Sequence, residues 1–229
     1  RHSVRDFSGR PVADEVIDAL LAKALLSPSW SNTQPYRVAV ANGDLTARLA
    51  AAYSRKFAAI STLQRRPRWQ QGLLGVLRGA LPDGDFRPIH EYPAELHKRR
   101  VATGVGLYNH LGIARHDFAA RDRQMARNFE FFGAPAALFL FVHEGLGAYS
   151  VLDAGIFLQS LMLAATEAGL STCAQGALAM WRSPLDEVFD IPRHYKLICG
   201  MALGYASDHD VNRFRTGRCD LEEMRIRRK

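Results

Sequence analysis

A chain of 229 residues, 48% hydrophobic and 23% charged, is long enough for one large core and is neither disordered nor fibrous. Its net charge of +7 and pI of about 9.6 come from basic residues gathered at "RHSVR" and in residues 213–229. They lack interleaved aromatics or a DNA-binding motif, and a small anionic ligand explains the charge as well as a basic nucleic-acid-binding module does. Three widely spaced cysteines, Cys173, Cys199 and Cys219, argue against a disulfide framework or a zinc site, and with no signal-peptide pattern the expected compartment is the cytoplasm.

In "RHSVR", Arg1, Ser3 and Arg5 alternate, and in extended backbone their side chains share one side at a repeat of about 6 to 7 Å. Two guanidiniums and a hydroxyl so placed form a phosphate clamp, and a solvated basic tail fits the same residues, as it does Arg213 and Arg215 further on. Val16, Leu20 and Leu21 recur at helical spacing within 12–26, with Asp14 and Glu15 early, where the helix dipole favours acids. The stretch "SPSWSNTQPYR" follows. Pro28 and Pro35 turn the residues before them away from helix, so this segment is a presented loop, and its Asn32 and Gln34 amides suit the edge of a heteroaromatic ring. A strand is expected at 37–41, a turn at "NGD", and a helix at 45–60 with Asp44 as its cap. Residues 62–93, with four prolines, several glycines and Trp69, read as an excursion of short helix and loop.

Helices are expected at 95–115 and 119–132, separated near "RHD", and "APAALFLFV" at 134–142 is a buried strand by its continuous apolar run. Residues 151–170 are apolar but broken by Asp153, Gln159, Ser160 and Glu167, which makes a buried central helix and not a membrane span. "LSTCAQ" and "YKLICGMALGY" are further strands, with a short helix at 185–189 between them. Helices outnumber strands without clean alternation, so the fold class is α+β, a mixed sheet covered by helices. No repeat or low-complexity tract is present.

Chemistry concentrates in few places. In "GLSTCAQGAL", Gly169 ends a helix, Gly176 lets a flat ligand approach the backbone, and Gln175 adds an amide. Cys173 has no cation or histidine near it in sequence and reads as a small buried residue, not a nucleophile. Arg213 and Arg215, two apart in "VNRFRTGR", repeat the arginine fork. "GVGLYN" puts Asn109 where a dinucleotide fingerprint needs glycine, and GxSxG, Walker A and HExxH are all missing. His110, His116 and Asp117 read as a solvated helix end. No catalytic side chain and no metal ligand is assigned.

Four segments in order resemble the FMN-dependent nitroreductases of the oxygen-insensitive type. "RHSVRDF" is similar to their Arg-(Arg/His)-Ser-x-(Arg/Lys)-x-Phe opening, "PSWSNTQPY" to their PS-x-x-N-x-QPW loop, "GLSTCAQ" to their GL-x-T-C-x-Q segment, and "GYASDHDVNRFR" to their GYP…NRFR tail. Tyr36 replaces the usual tryptophan and Ala206 the usual proline. The resemblance implies a nitroreductase-like fold, with a central, mainly antiparallel sheet flanked by helices, in an intertwined homodimer. Residues 1–229 would form one FMN-binding domain with a tail at 205–229 embracing the partner. It further implies that Arg1, His2, Ser3, Arg5, Arg213 and Arg215 hold the phosphate and ribityl end. Pro28, Ser29, Trp30, Ser31 and Asn32 would come from the partner subunit, with Asn32 on the flavin, while Cys173, Ala174, Gln175 and Gly176 face the ring. The activity implied is ping-pong reduction of nitroaromatics by NAD(P)H, in a subgroup acting on nitrobenzoate-like, nitrophenol-like or dinitroaniline compounds. Quinone or ene reduction, dehalogenation and non-catalytic flavin binding share the same fold. Tyr108, with Arg99 and Arg100 near it, is the candidate substrate contact.

Overall fold

The run "AALFLFVH" has no polar break because both faces of the strand it forms are covered. In a computed structural model describing residues 1–62, 81–86 and 91–228, it is β2 (Ala136–His143), buried along its length except at His143. β1 (Tyr36–Asn42) and β4 (Tyr195–Gly204) flank it, and β3 (Ser171–Gln175) lies beyond β4, giving the order β1-β2-β4-β3 with every neighbour antiparallel. The mixed character expected of the sheet is confined to its edge, where Ser3 makes a single parallel bridge to Thr172; Phe7 pairs antiparallel with Ala206.

The two-residue period of β2 divides the core. Leu138, Leu140 and Val142 face α1 (Asp14–Ala24) and α5 (Ala148–Glu167), meeting Ile17, Leu20, Phe157 and Leu161. Phe139 and Phe141 face the other way, toward Tyr53 of α2 (Asp44–Ser61), the aromatic turn at Phe129, Phe131 and Phe132, and Trp181. Each such side chain contributes about 1.5 to 3 kcal/mol by leaving water. By length and composition α5 could cross a membrane. It instead packs on the sheet through Ala154, Phe157, Leu161 and Ala165, while Val151, Leu152 and Leu163 remain exposed.

α3 (Ala94–His110) and α4 (Phe118–Ala126) are shorter than the sequence pattern suggests. α3 stops where Gly112 adopts a left-handed φ of 67° and Ile113 turns its N–H back to the Tyr108 carbonyl. α4 stops because Phe131 and Phe132, both at positive φ, swing into the core. Asp44 is the first residue of α2 and caps nothing; the cap position is Gly43, at φ 54° and ψ −125°. The helix expected at 185–189 is α6 (Ser183–Asp186), which accepts Pro184 in its first turn. α7 (Leu221–Met224) is a single exposed turn. Of the excursion expected at 62–93, residues 63–80 and 87–90 lie outside the described residues.

Candidate functional site

Val4 and Phe7 are buried, which pins the extended segment carrying Arg1, Ser3 and Arg5 against β3; the Val4 N–H donates to the Thr172 carbonyl at 3.1 Å. Asn212 ties the 205–215 stretch to the same segment. Its Oδ1 accepts from the Arg5 and Asp6 amides at 2.8 and 3.1 Å, and its Nδ2 donates to the Asp6 and Ser207 carbonyls at 2.7 and 3.0 Å. Arg215 is thereby brought to His2. The His2 imidazole is held below its ordinary pKa first by burial, then by the charge of Arg215 and, more weakly, of Arg1. Burial pushes the Cys173 thiol up, against the opposing pull of Arg5, the Ser3 hydroxyl and Arg1.

Arg1, His2, Ser3, Arg5, Cys173 and Arg215 therefore share one neighbourhood. Arg213 is turned elsewhere: it sits in a 3-10 turn (Asp210–Arg213) and pairs with Asp210 at 3.6 Å, so the two arginines of "NRFR" do not form an extended fork. Among the described residues, none of Arg1, Arg5 and Arg215 has a carboxylate partner. Among the described residues they reach Gln159 Oε1, the Ser3 carbonyl, and the Asn212 and Phe214 carbonyls. Three guanidiniums without a counter-ion are a donor set for phosphate.

Along β3 the side chains alternate. Cys173 and Gln175 point inward, and Ala174 and the following Gly176 are exposed. Gln175 Nε2 donates to the Asn128 carbonyl at 2.7 Å, leaving its buried Oε1 without a partner. A Cβ on Gly176 would meet nothing within 4 Å, so the open side of the strand end can take a flat ring.

The loop that includes Pro28, Ser29, Trp30, Ser31 and Asn32 lies against α5. The Trp30 N–H donates to the buried Asp153 at 2.9 Å, the Gln34 N–H to Ser29 Oγ at 3.0 Å, and the Trp30 ring meets Tyr149 at 4.4 Å between centroids. Ser31, Asn32 and Gln34 are all at positive φ, strain that this fixed loop holds in place. Gln34 spends its amide on Asn32.

Beyond Gly176 a cleft of about 530 Å³ opens between α3, α4 and the turn after β3. Phe57, Tyr108, Phe118, Arg121, Asp122, Met125, Phe129, Ala177 and Met180 line it. Tyr108 and Met125 also line a smaller hollow with Arg5 and Asn128, so the cleft adjoins the arginine segment. Tyr108 is half-buried and forms part of this wall. Arg99 instead pairs with Glu223, and Arg100 lies over the Tyr92 ring at 5.0 Å; neither lines the cleft. Among the described residues the cation that does is Arg121. Sequence reasoning missed the set Phe118, Arg121, Asp122 and Met125, whose i, i+3, i+4, i+7 spacing marks one helical face.

The opposite wall is tied down by residues 83–85. The Asp83 and Gly84 amides both donate to the Met180 carbonyl, at 3.1 and 3.0 Å. Asp83 accepts from the Arg182 and Ser183 amides and the Ser183 hydroxyl. Burial pushes its carboxyl pKa up, but these bonds from Ser183 and Arg182, with Lys56, outweigh burial and hold it below the usual range. Asp85 pairs with Arg182 at 3.0 Å and accepts from the Leu197 amide at 2.7 Å. A Cβ on Gly84 would lie 1.9 Å from the Ala179 carbonyl oxygen, so only glycine fits.

An antiparallel sheet edged by an arginine-bearing segment, with a glycine at the strand end and an aromatic cleft above it, defines a receptor for a flat, phosphorylated ligand. The chain belongs to the nitroreductase family, whose model matches residues 1–205. It is 34% identical over 223 residues to a 4-nitrobenzoate reductase of Pseudomonas putida, covering 95% of this chain and 88% of that protein. It is 32% identical over 228 residues to a nitrobenzene nitroreductase of Ectopseudomonas oleovorans, covering 98% and 92%. Its fold superposes with a TM-score of 0.84 on the FMN-dependent nitroreductase NfnB from Mycobacterium smegmatis, crystallised with NADPH, at 29% identity over 100% of this chain and 95% of that one.

Proposed function

We propose that this protein is an FMN-dependent NAD(P)H oxidoreductase that reduces nitroaromatic compounds. The observation that carries the reading is the cluster of Arg1, Arg5 and Arg215 without a carboxylate, beside an open strand end at Gly176. The donor set suits a phosphate and the open strand end suits a flat ring, which is the shape and charge of FMN. Arg1, Ser3, Arg5 and Arg215 hold the phosphate end, with His2 beside them. Ala174 and Gly176 present backbone to the ring. FMN, when bound, supplies the two-electron chemistry that no side chain here carries. The protein's part is to bind, orient and exclude water, with a nicotinamide donor and a nitroarene taking turns in the aromatic cleft.

The loop of Pro28, Ser29, Trp30, Ser31 and Asn32 completes the site of a second copy in a homodimer. Support comes from its rigid, outward-facing conformation and from the exposed apolar residues beside it, Leu26, Tyr149, Leu152 and Leu163. The 205–229 stretch reaches the partner, consistent with exposed Leu221, Met224 and Ile226. Residues 1–229 act as one FMN-binding domain.

The test is equilibrium dialysis against FMN. Arg1→Ala with Arg215→Ala is expected to weaken FMN binding by about 10- to 100-fold, the worth of losing one or more charge-assisted hydrogen bonds, with the fold retained by circular dichroism. Unchanged FMN affinity refutes the phosphate assignment. Sedimentation equilibrium of the holoprotein should give a dimer.

A further inference from the structure

We propose that Arg121 makes the cleft selective for aromatic substrates bearing a carboxylate over neutral ones of the same size. The inference rests on the functional reading above and names the substrate class of the same site. The cleft is lined by flat rings, Phe57, Tyr108, Phe118 and Phe129, which fit an arene. Into this apolar surface α4 inserts one guanidinium. Its carbon lies 5.1 Å from the Tyr108 ring centroid and 5.8 Å from that of Phe118, which hold it against the wall.

Arg121 does little for the fold. α4 buries no residue, and among the described residues the one hydrogen bond of the side chain runs from Nη1 to the Arg115 carbonyl at 3.2 Å. Nearby arginines have carboxylates, Arg99 with Glu223 and Arg127 with Asp6, and among the described residues Arg121 has none within ion-pair distance. Nε and Nη2 thus remain as donors on the edge of the planar group. That edge matches a carboxylate in geometry as well as charge, and the half-buried, ring-lined surroundings strengthen the attraction relative to open solvent. Asp122 lines the same cleft, and its charge opposes an anion. The site therefore has a specific sign structure: removing Arg121 weakens anion binding and neutralising Asp122 strengthens it.

The experiment uses FMN-loaded protein and two readouts. The first is the ratio of kcat/KM for 4-nitrobenzoate to that for nitrobenzene, with NADPH as donor. In Arg121→Gln this ratio is expected to fall by about 10- to 100-fold, mostly through KM, and Arg121→Lys should recover part of it. The second is calorimetric titration with benzoate, which binds without reacting: affinity should fall at least about tenfold in Arg121→Gln and rise in Asp122→Asn. FMN content and circular dichroism report whether each variant is folded. An unchanged ratio together with unchanged benzoate affinity in Arg121→Gln overturns the proposal. If the wild type reduces neither nitroarene while benzoate binding still depends on Arg121, the proposed reaction falls and the anion site stands.

Discussion

On one side of the cleft, Ala177 and Met180 belong to a turn that continues into fully buried Trp181 and is held by Asp83, Gly84, Asp85 and Arg182 through main-chain bonds and an ion pair withdrawn from solvent. On the other side, Tyr108, Phe118 and Met125 stand on α3 and α4, two helices without a buried residue between them, joined to the rest by exposed pairs such as Arg99 with Glu223 and His110 with Asp210. One wall is part of the core and the other rests upon it. Substitutions on the first disturb the sheet that carries the arginine segment. On the second they change what the cleft accepts at small cost in stability, which is where selectivity can vary independently of the fold.

The largest contrast should come from two arginines. Arg182→Ala strands Asp85 in a mostly buried place and is expected to cost about 3 to 5 kcal/mol in urea denaturation, whereas Arg99→Ala should cost about 1 kcal/mol or less. Equal losses would show that the two walls are equally integral. Next come two glycines of opposite sign. Gly84→Ala forces the 83–85 segment off the Ala179 carbonyl and should destabilise by about 1 to 3 kcal/mol, with a change in KM as Met180 moves. Gly104→Ala, in α3 with open space around its Cβ position, should stabilise by about 0.5 to 1 kcal/mol. A smaller effect is expected in acid. The folded-state pKa of Asp83 lies below its unfolded value, so its contribution is present above the ordinary carboxylate pKa and is lost as pH falls through the folded one. Asp83→Asn should therefore flatten the fall in stability below about pH 4, seen as a shallower pH dependence of the urea midpoint.

The same contrast explains what the sequence disclosed. β2 and α5 were legible because their burial depends on local pattern, an unbroken apolar run for one and a long helical stretch for the other. The alternation of Arg1, Ser3 and Arg5 offered a clamp but fitted a solvated tail as well, and it took four segments in order to favour the clamp. The end of α4 was not legible: Phe131, at positive φ, fits against Tyr53 and Phe139, and Phe132, also at positive φ, is buried in the same core, which no local preference encodes. Arg99 and Arg100 were chosen for closeness to Tyr108 in the chain, yet nine residues at about 100° each put Arg99 on the far side of the helix from it. Arg121 lies on the next helix, and only the fold brings it to the ring. Arg213 and Arg215 would point together in extended backbone, but the 3-10 turn at Asp210–Arg213 separates them.

Asn212 has a consequence for biogenesis. Its side chain satisfies two backbone amides, of Arg5 and Asp6, more than 200 residues earlier in the chain. Closing so long a span is entropically demanding, and in the folded chain the segment lies at the sheet edge, where Ser3 bridges to Thr172 and Phe7 to Ala206. A nascent chain still held in the ribosome short of Asn212 has neither this staple nor Arg215. Its first arginines are then left on an unanchored strand with no third guanidinium to join them. On the proposed reading of this cluster as the phosphate site, the donor set is complete only once Arg215 has been added to the chain.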